Sequence, residues 1–196
     1  MKREDIIELH YITDIANILS IIEDGILSHN LADRESHVSV ADNDVQERRK
    51  NKEIPGTGKT LHDFANLYFD AHNPMLSRLR SKNDSICILR INSSILDLPE
   101  IIVSDRNAAR GWARFWPVEE GLPMLDKDMV FAESWKHPVD QMKEDEHKGV
   151  KCSEILVPSF VSPKYVLGAY VANETAKNAF CASCNLPVEI KPSIFF

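Results

Sequence analysis

The chain has 196 residues, 43% of them hydrophobic, and a formal net charge of -7 at pH 7. That length fits one domain over residues 1–196, and the composition excludes wholesale disorder. Apolar runs such as Val166–Ala172 fall far short of the roughly 20 residues that span a bilayer, and Met1–Glu8 has no apolar stretch after its charges, so a cytoplasmic protein with no membrane partner is expected.

Ile6 to Thr13 reads as an opening strand, with Tyr11 and Thr13 on one side and His10 and Ile12 on the other. Asp14 stands where it can cap a helix whose apolar positions Ile15, Ile18, Leu19 and Ile22 keep helical spacing, with Gly25 as the stop. Residues 28–60 are polar and too long for a simple connection, which points to a functional loop holding one short helix around Asp44–Lys50. Pro74 marks a helix start ahead of Met75 and Leu79. Ile86–Ile91 and Ile101–Ser104 read as strands, and Asp105 is expected to cap a helix reaching about Phe115. Glu154–Val157 and Tyr165–Val171 are expected as buried strands, Asn173–Cys184 as a helix and Val188–Ile190 as a last strand. Strands mixed with short helices, without regular alternation, predict an α+β fold rather than a doubly wound α/β one.

The charge is uneven. Glu119–Glu146 holds nine acids against three lysines, so the rest of the chain is close to neutral. It carries two basic clusters, Arg48-Arg49-Lys50-Asn51-Lys52 and the series Arg106, Arg110, Arg114. On the predicted helix that series shares a face beside Trp112 and Trp116, a pattern that either holds phosphates and stacks bases or buries its tryptophans and solvates its arginines. Nucleic acid is therefore not excluded by the net charge, although its binding needs cations that displace counterions.

Pro55-Gly-Thr-Gly-Lys-Thr60 spells the end of the phosphate-binding pattern G-x-x-x-x-G-K-[ST], in which backbone N–H groups wrap phosphates fed by a hydrophobic strand. Here Glu53 stands at the first glycine and Gln46–Glu53 replaces the strand, so a flexible loop is the better reading. Cys181-Ala-Ser-Cys184 has metal-ligand spacing but no second pair, and no metal is expected. Glu154 lies between the charged stretch Glu133–Ser153 and an apolar strand, at what would be a cleft edge. Taken singly, Glu154 fits a solvated strand end and Arg49 a solvated helix face.

The order of these pieces along the chain is more specific. Leu9-His-Tyr-Ile-Thr-Asp-Ile-Ala-Asn-Ile-Leu19 with Gly25, Val45-Gln-Glu-Arg-Arg49, Leu61-His-Asp-Phe64 with Tyr68-Phe69, Asn73-Pro-Met-Leu76, Ser104-Asp-Arg106, Trp135 and Cys152-Ser-Glu-Ile-Leu-Val157 follow one another over residues 6–196. Together they resemble the DarT-type DNA ADP-ribosyltransferases, toxins that move ADP-ribose from NAD onto a base of single-stranded DNA. The resemblance implies the single-domain ADP-ribosyltransferase core, a split mixed sheet with peripheral helices, and NAD as co-substrate without a metal. It implies Glu154 and Arg49 as catalytic residues, the first holding the nicotinamide ribose and the second contacting NAD and the acceptor. His10, Tyr11, Thr13 and Leu27, with Arg49, would bind NAD. His72, Asn73 and Met75 of one turn, Arg106, and Ser134, Trp135, Lys148 and Lys151 of a presenting loop at 133–153 would face DNA. The implied partners are single-stranded DNA and a macrodomain antitoxin (DarG-like). Two positions depart from the family pattern: Tyr11 stands where a histidine is common, and Asn107 where a histidine often follows Asp-Arg. Thymidine and guanosine both stay open as the modified base. So do an RNA or protein acceptor, and a catalytically idle nucleic-acid-binding module on the same fold.

Overall fold

A computed structural model describes residues 1–196. Its strands are β1 (Glu8–Asp14), β2 (Ile26–Leu27), β3 (Glu53–Ile54), β4 (Lys59–Thr60), β5 (Phe64–Tyr68), β6 (Ile86–Asn92), β7 (Ile102–Ser104), β8 (Phe115–Pro117), β9 (Glu154–Pro158), β10 (Phe160–Val161), β11 (Val166–Val171) and β12 (Val188–Ile190). Its α-helices are α1 (Ile18–Asp24), α2 (His29–Ala32), α3 (Asn43–Lys50), α4 (Pro74–Arg78), α5 (Val118–Gly121), α6 (Lys127–Val130), α7 (Gln141–Lys151) and α8 (Glu174–Ser183).

Eight strands make one mixed sheet in the order β12-β11-β6-β1-β5-β9-β7-β8, which agrees with the α+β expectation. β1 pairs with β6 along its whole length, from Glu8–Asn92 to Asp14–Ile86. Its link to β5 is the single pair His10–Tyr68. Past that pair the two strands part, and the sheet opens into a cleft with Ile12 and Thr13 on one lip and Phe64, Ala65 and Asn66 on the other.

Both faces of the sheet are covered, which is why β6 reads as a nearly continuous apolar run. Its Cys87, Leu89 and Ile91 face the larger core with Ile18 and Ile21 of α1, Val150 of α7 and Ala176 and Phe180 of α8. Its Ile86 and Ile88 face a smaller one with Ile12, Leu76 of α4, Tyr170 and Phe195. Each Ile, Leu, Val or Phe among them stabilises the fold by about 1.5–3 kcal/mol on leaving water. Gly25 ends α1 at φ 91, and a Cβ there would meet the Val161 carbonyl oxygen at 2.3 Å. This lets β2 turn back and pair with β10, which brings Leu27 to the cleft.

Four local expectations are corrected. Residues 105–114 form turns, not a helix, because the Asp105 carboxylate closes the segment instead of capping it: it accepts hydrogen bonds from the Arg114 backbone N–H (3.0 Å) and from both the Arg114 and Arg106 guanidinium groups. Phe115 and Trp116 then pair with Ser104 and Val103 as β8. Much of the presumed loop 133–153 is α7, capped by Asp140 accepting from the Lys143 N–H and braced by a Glu144–Lys148 pair at 2.7 Å. It is Ile15 of the turn before α1 and Ile18 and Ile21 of α1 that are buried, and Leu19 faces solvent. Pro55–Thr60 is the bend and second strand of the β3–β4 hairpin, with Gly56 and Gly58 at positive φ, and precedes no phosphate-cradling helix. Lys59 is held by Glu100 at 3.0 Å. No helix is long and apolar enough to cross a membrane.

Candidate active site

α3 starts at Asp42, whose carboxylate accepts from the Val45 N–H at 2.9 Å, and ends in Arg48-Arg49-Lys50, where cations suit the negative end of the helix dipole. Arg49 is the only residue of α3 that is buried. Its Nη1 donates to both carboxylate oxygens of Glu154, at 3.0 and 3.2 Å. Glu154 opens β9 at the register position flanked by Tyr68 and Ser104, so the sheet fixes it from both sides. The Ala108 backbone N–H donates to its Oε1 at 2.7 Å, and its side chain is 0% exposed. Burying this pair is tolerable only because the carboxylate has strong charged and backbone donors.

Arg49 forms part of the wall of a cavity of about 510 Å³ at the split of the sheet, a size usual for small-molecule and cofactor sites. Tyr11, Ile12, Thr13, Leu27, Phe64 and Leu61 supply much of its lining. Five of the lining residues are Lys or Arg (Arg49, Arg78, Lys82, Arg110 and Lys148) against the single carboxylate Asp42. Four of these cations are paired with carboxylates (Arg49 with Glu154, Arg78 with Asp42, Arg110 with Asp145 and Lys148 with Glu144), so an anionic ligand such as a diphosphate would be held by donors shared with those acids. Asn17 holds one wall: its side-chain amide donates to Thr13 Oγ1 at 3.1 Å and to the Val38 carbonyl at 2.9 Å, and accepts from the Val38 N–H at 2.8 Å.

Of the residues singled out from sequence, Tyr11, Thr13, Leu27, Arg49, Met75 and Lys148 meet at this cavity, with Glu154 directly behind Arg49. Others lie elsewhere. His10 points away from the cavity, donating Nδ1–H to the Phe69 carbonyl at 3.2 Å with Nε2 3.3 Å from Glu8. Glu8 also accepts from Arg90 and Tyr170; burial pushes its pKa up, but hydrogen bonds from His10, Tyr170 and Arg90 outweigh it and bring it to about 2. Asn73 is fully buried, capping α4 through the Met75 and Leu76 N–H groups. Lys151, 0% exposed, is tied to Asp70 and to the Ala132 carbonyl. Neither side chain is free to meet DNA in this arrangement. Arg106 is engaged by Asp105, and the Ser134 hydroxyl accepts from the Lys136 N–H. Trp135 is buried against His72 and Phe196, whose ring stacks on His72 at 4.1 Å.

The sequence reading passed over Asn17, Asn66, Arg78, Lys82 and the Ala108 N–H. The β5 residues were signalled by alternation, since Phe64, Asn66 and Tyr68 share one face; the Ala108 contact had no signal, because any residue supplies an N–H.

His62 sits beside the site, its ring 4.0 Å from that of His29, and donates Nε2–H to the Gln46 side-chain oxygen at 3.1 Å, one turn before Arg49. Burial, then the neighbouring charges of His29 and Arg49, push its pKa down from 6.5 to about 4. The unfolded chain therefore takes up a proton below pH 6.5 that the folded chain refuses until about 4. The stability that this neutral histidine contributes is complete above 6.5 and lost as pH falls toward 4. Thermal melts across that window should show a steeper fall for the wild type than for His62→Gln, and parallel curves would contradict this. The Glu8 contribution falls away only between 4.5 and about 2, outside the window.

The mixed sheet, split between β1 and β5 with the buried Arg49–Glu154 pair beside the split, agrees with the ADP-ribosyltransferase core that the resemblance implied. Comparison gives the family. A family model described as "ssDNA thymidine ADP-ribosyltransferase, DarT" matches residues 10–196, and the chain belongs to that family. It is 35% identical over 201 residues to a DNA ADP-ribosyl transferase–DNA ADP-ribosyl glycohydrolase fusion protein of Thermosipho africanus, which covers 96% of this chain and 49% of the fusion. The chain thus spans about half the length of that relative. Its fold is that of the Thermus sp. 2.9 DarT, solved in complex with ADP-ribosylated ssDNA (TM-score 0.82, 23% identity, 98% of this chain and 97% of that one). The same protein in complex with NAD+ gives a TM-score of 0.77 at 21% identity, over 98% of each chain.

Proposed function

We propose that this chain transfers ADP-ribose from NAD to a base in single-stranded DNA, with Glu154 and Arg49 as its catalytic pair. The observation that carries this reading is the buried Arg49–Glu154 pair behind the cavity at the split of the sheet. NAD, when bound, supplies an ADP-ribosyl group whose bond to nicotinamide breaks with the electron pair leaving on nicotinamide. Positive charge then develops on the ribose, the same electron deficiency that glycosidases meet with a carboxylate. Glu154 provides that carboxylate in a water-poor setting, held by the Ala108 N–H, so it needs little reorganisation as the charge appears. Arg49 uses only Nη1 on Glu154, leaving Nε and Nη2 for a phosphate oxygen or the acceptor. Thr13 and Leu27 lie at the cleft where the nicotinamide end would sit, and the cleft's other cations suit the diphosphate. His10 is dropped from this assignment, because its ring is turned to Glu8 and Phe69.

The family description favours thymidine over guanosine. The Thermus relative's complex with ADP-ribosylated ssDNA favours DNA over RNA or protein. The Thermosipho fusion, which joins a transferase to a DNA ADP-ribosyl glycohydrolase, supports a toxin whose partner is a macrodomain antitoxin that removes the modification. A cytoplasmic location follows from that pairing, and no step calls on a metal. The test is an acceptor panel. With labelled NAD, label should pass to single-stranded DNA and not to duplex of the same sequence, because a paired base hides its edges. Label on RNA or protein alone would replace the acceptor in this account.

A further inference from the structure

The turn segment between β7 and β8 carries features that the catalytic site does not use. Trp112 is 60% exposed, whereas Trp135 is buried. The Arg110 guanidinium lies 5.7 Å from the Trp112 ring centre and that of Arg114 5.2 Å from Trp116, while Lys52 Nζ is 5.4 Å from Phe115. Three cation–aromatic pairs thus gather on residues 110–116, two of them within the segment and the third with Lys52 as its cation. They are held in place: Arg110 by two hydrogen bonds to Asp145 (2.6 and 3.0 Å), Arg114 by Asp105, and the Arg110 carbonyl by Lys52. Arg110 also lines the cavity, so the row begins where the acceptor would enter.

We propose that Trp112, with Arg110 and Arg114, is a stacking subsite for a nucleotide flanking the target on the same single strand. This rests on the transferase reading above. The exposed indole offers a face that any base can cover, and the Arg114 guanidinium, bonded to Asp105 through Nε alone, keeps its Nη groups for a neighbouring phosphate. Because the row is already ordered, stacking costs little further entropy. The committed occupant is single-stranded DNA: the exposed indole offers a base-sized face, Arg114 is 57% exposed beside it, and continuity with the cavity through Arg110 sets where the strand starts.

The test measures the binding of a fluorescent single-stranded oligonucleotide to the full chain without NAD, so it does not depend on transfer. Trp112→Ala should weaken binding by about 5- to 150-fold, the range for loss of one base–aromatic stack, while Trp112→Phe should retain most of it. Emission from Trp112 should be quenched on DNA addition, and that quench should vanish in Trp112→Phe. NAD affinity and transfer to an oligonucleotide trimmed to the target base should be unchanged in both variants. Unchanged oligonucleotide affinity in Trp112→Ala, or an equal loss on full and trimmed oligonucleotides, would overturn the subsite. So would a variant that loses binding to an antitoxin macrodomain but not to DNA, which would make the indole a protein contact. A wild type that binds and quenches yet transfers nothing would leave the subsite standing and defeat the transferase reading instead.

Discussion

Glu154→Gln should lose at least ~100-fold in the rate of ADP-ribose transfer, the order seen when one preorganised stabilising group is removed. The amide can still accept the Ala108 N–H, so the β9 backbone keeps its neighbours, but no fixed negative charge faces the ribose. The loss should fall on kcat with little change in NAD affinity, because the carboxylate acts where charge develops and not on the ground state. The structure adds a cost that the sequence did not show. Neutralising Glu154 leaves the Arg49 guanidinium buried without its partner, and breaking such a pair costs about 3–5 kcal/mol. For a chain of this size that lowers Tm by roughly 10 °C or more. Glu154→Ala, which also strands the Ala108 N–H, should cost further stability. Adding Arg49→Gln to Glu154→Gln should return part of the Tm without returning activity. Activity must therefore be read well below the variant's melting range, and transfer within about threefold of wild type there would remove Glu154 from the chemistry.

Arg49→Ala should abolish transfer, while Lys59→Ala should leave it unchanged. Arg49 both fixes Glu154 and faces the cavity, so its removal takes away a positioning contact and a cation for substrate together. Lys59 sits on the β3–β4 hairpin and pairs with Glu100 near the surface. Exposed pairs of that kind are worth about 0–1 kcal/mol, too little to disturb the site. A phosphate-loop enzyme would give the reverse ranking, since its lysine carries the phosphate charge. ATP hydrolysis lost on changing Lys59 would contradict the present account.

Much of the frame was legible because local signals agreed with tertiary needs. Asp14 caps the helical turn expected of it, Pro74 opens α4, a helix follows Asn173, and the apolar runs of β6, β9 and β11 are buried strands. The short helix expected around Asp44–Lys50 is present as α3, yet nothing local says that Arg49 turns inward while Arg48 and Lys50 do not. That choice is made by Glu154, 105 residues away. The failed helix at 105–115 has the same origin. Asp105 had a capping residue's identity, but Arg114 and Arg106 converge on its carboxylate, and their hydrogen bonds hold its pKa down even though burial raises it. Tyr11, Thr13 and Leu27, which the resemblance named for NAD, line the cleft. It could not foresee that Asn73 and Lys151 would be consumed by capping and by Asp70. A motif gives an order of residues, and only packing decides which of them stay free.

The central claim is that NAD is cleaved at the split between β1 and β5, against Glu154. A structure of the chain with a non-cleavable NAD analogue tests it most directly. The account predicts the nicotinamide end between Thr13 and Leu27, the ribose hydroxyls against Glu154, and Arg49 turned from the carboxylate toward the diphosphate. An analogue bound outside this cleft, or seated there with the Arg49–Glu154 pair closed and the ribose remote from Glu154, would contradict it.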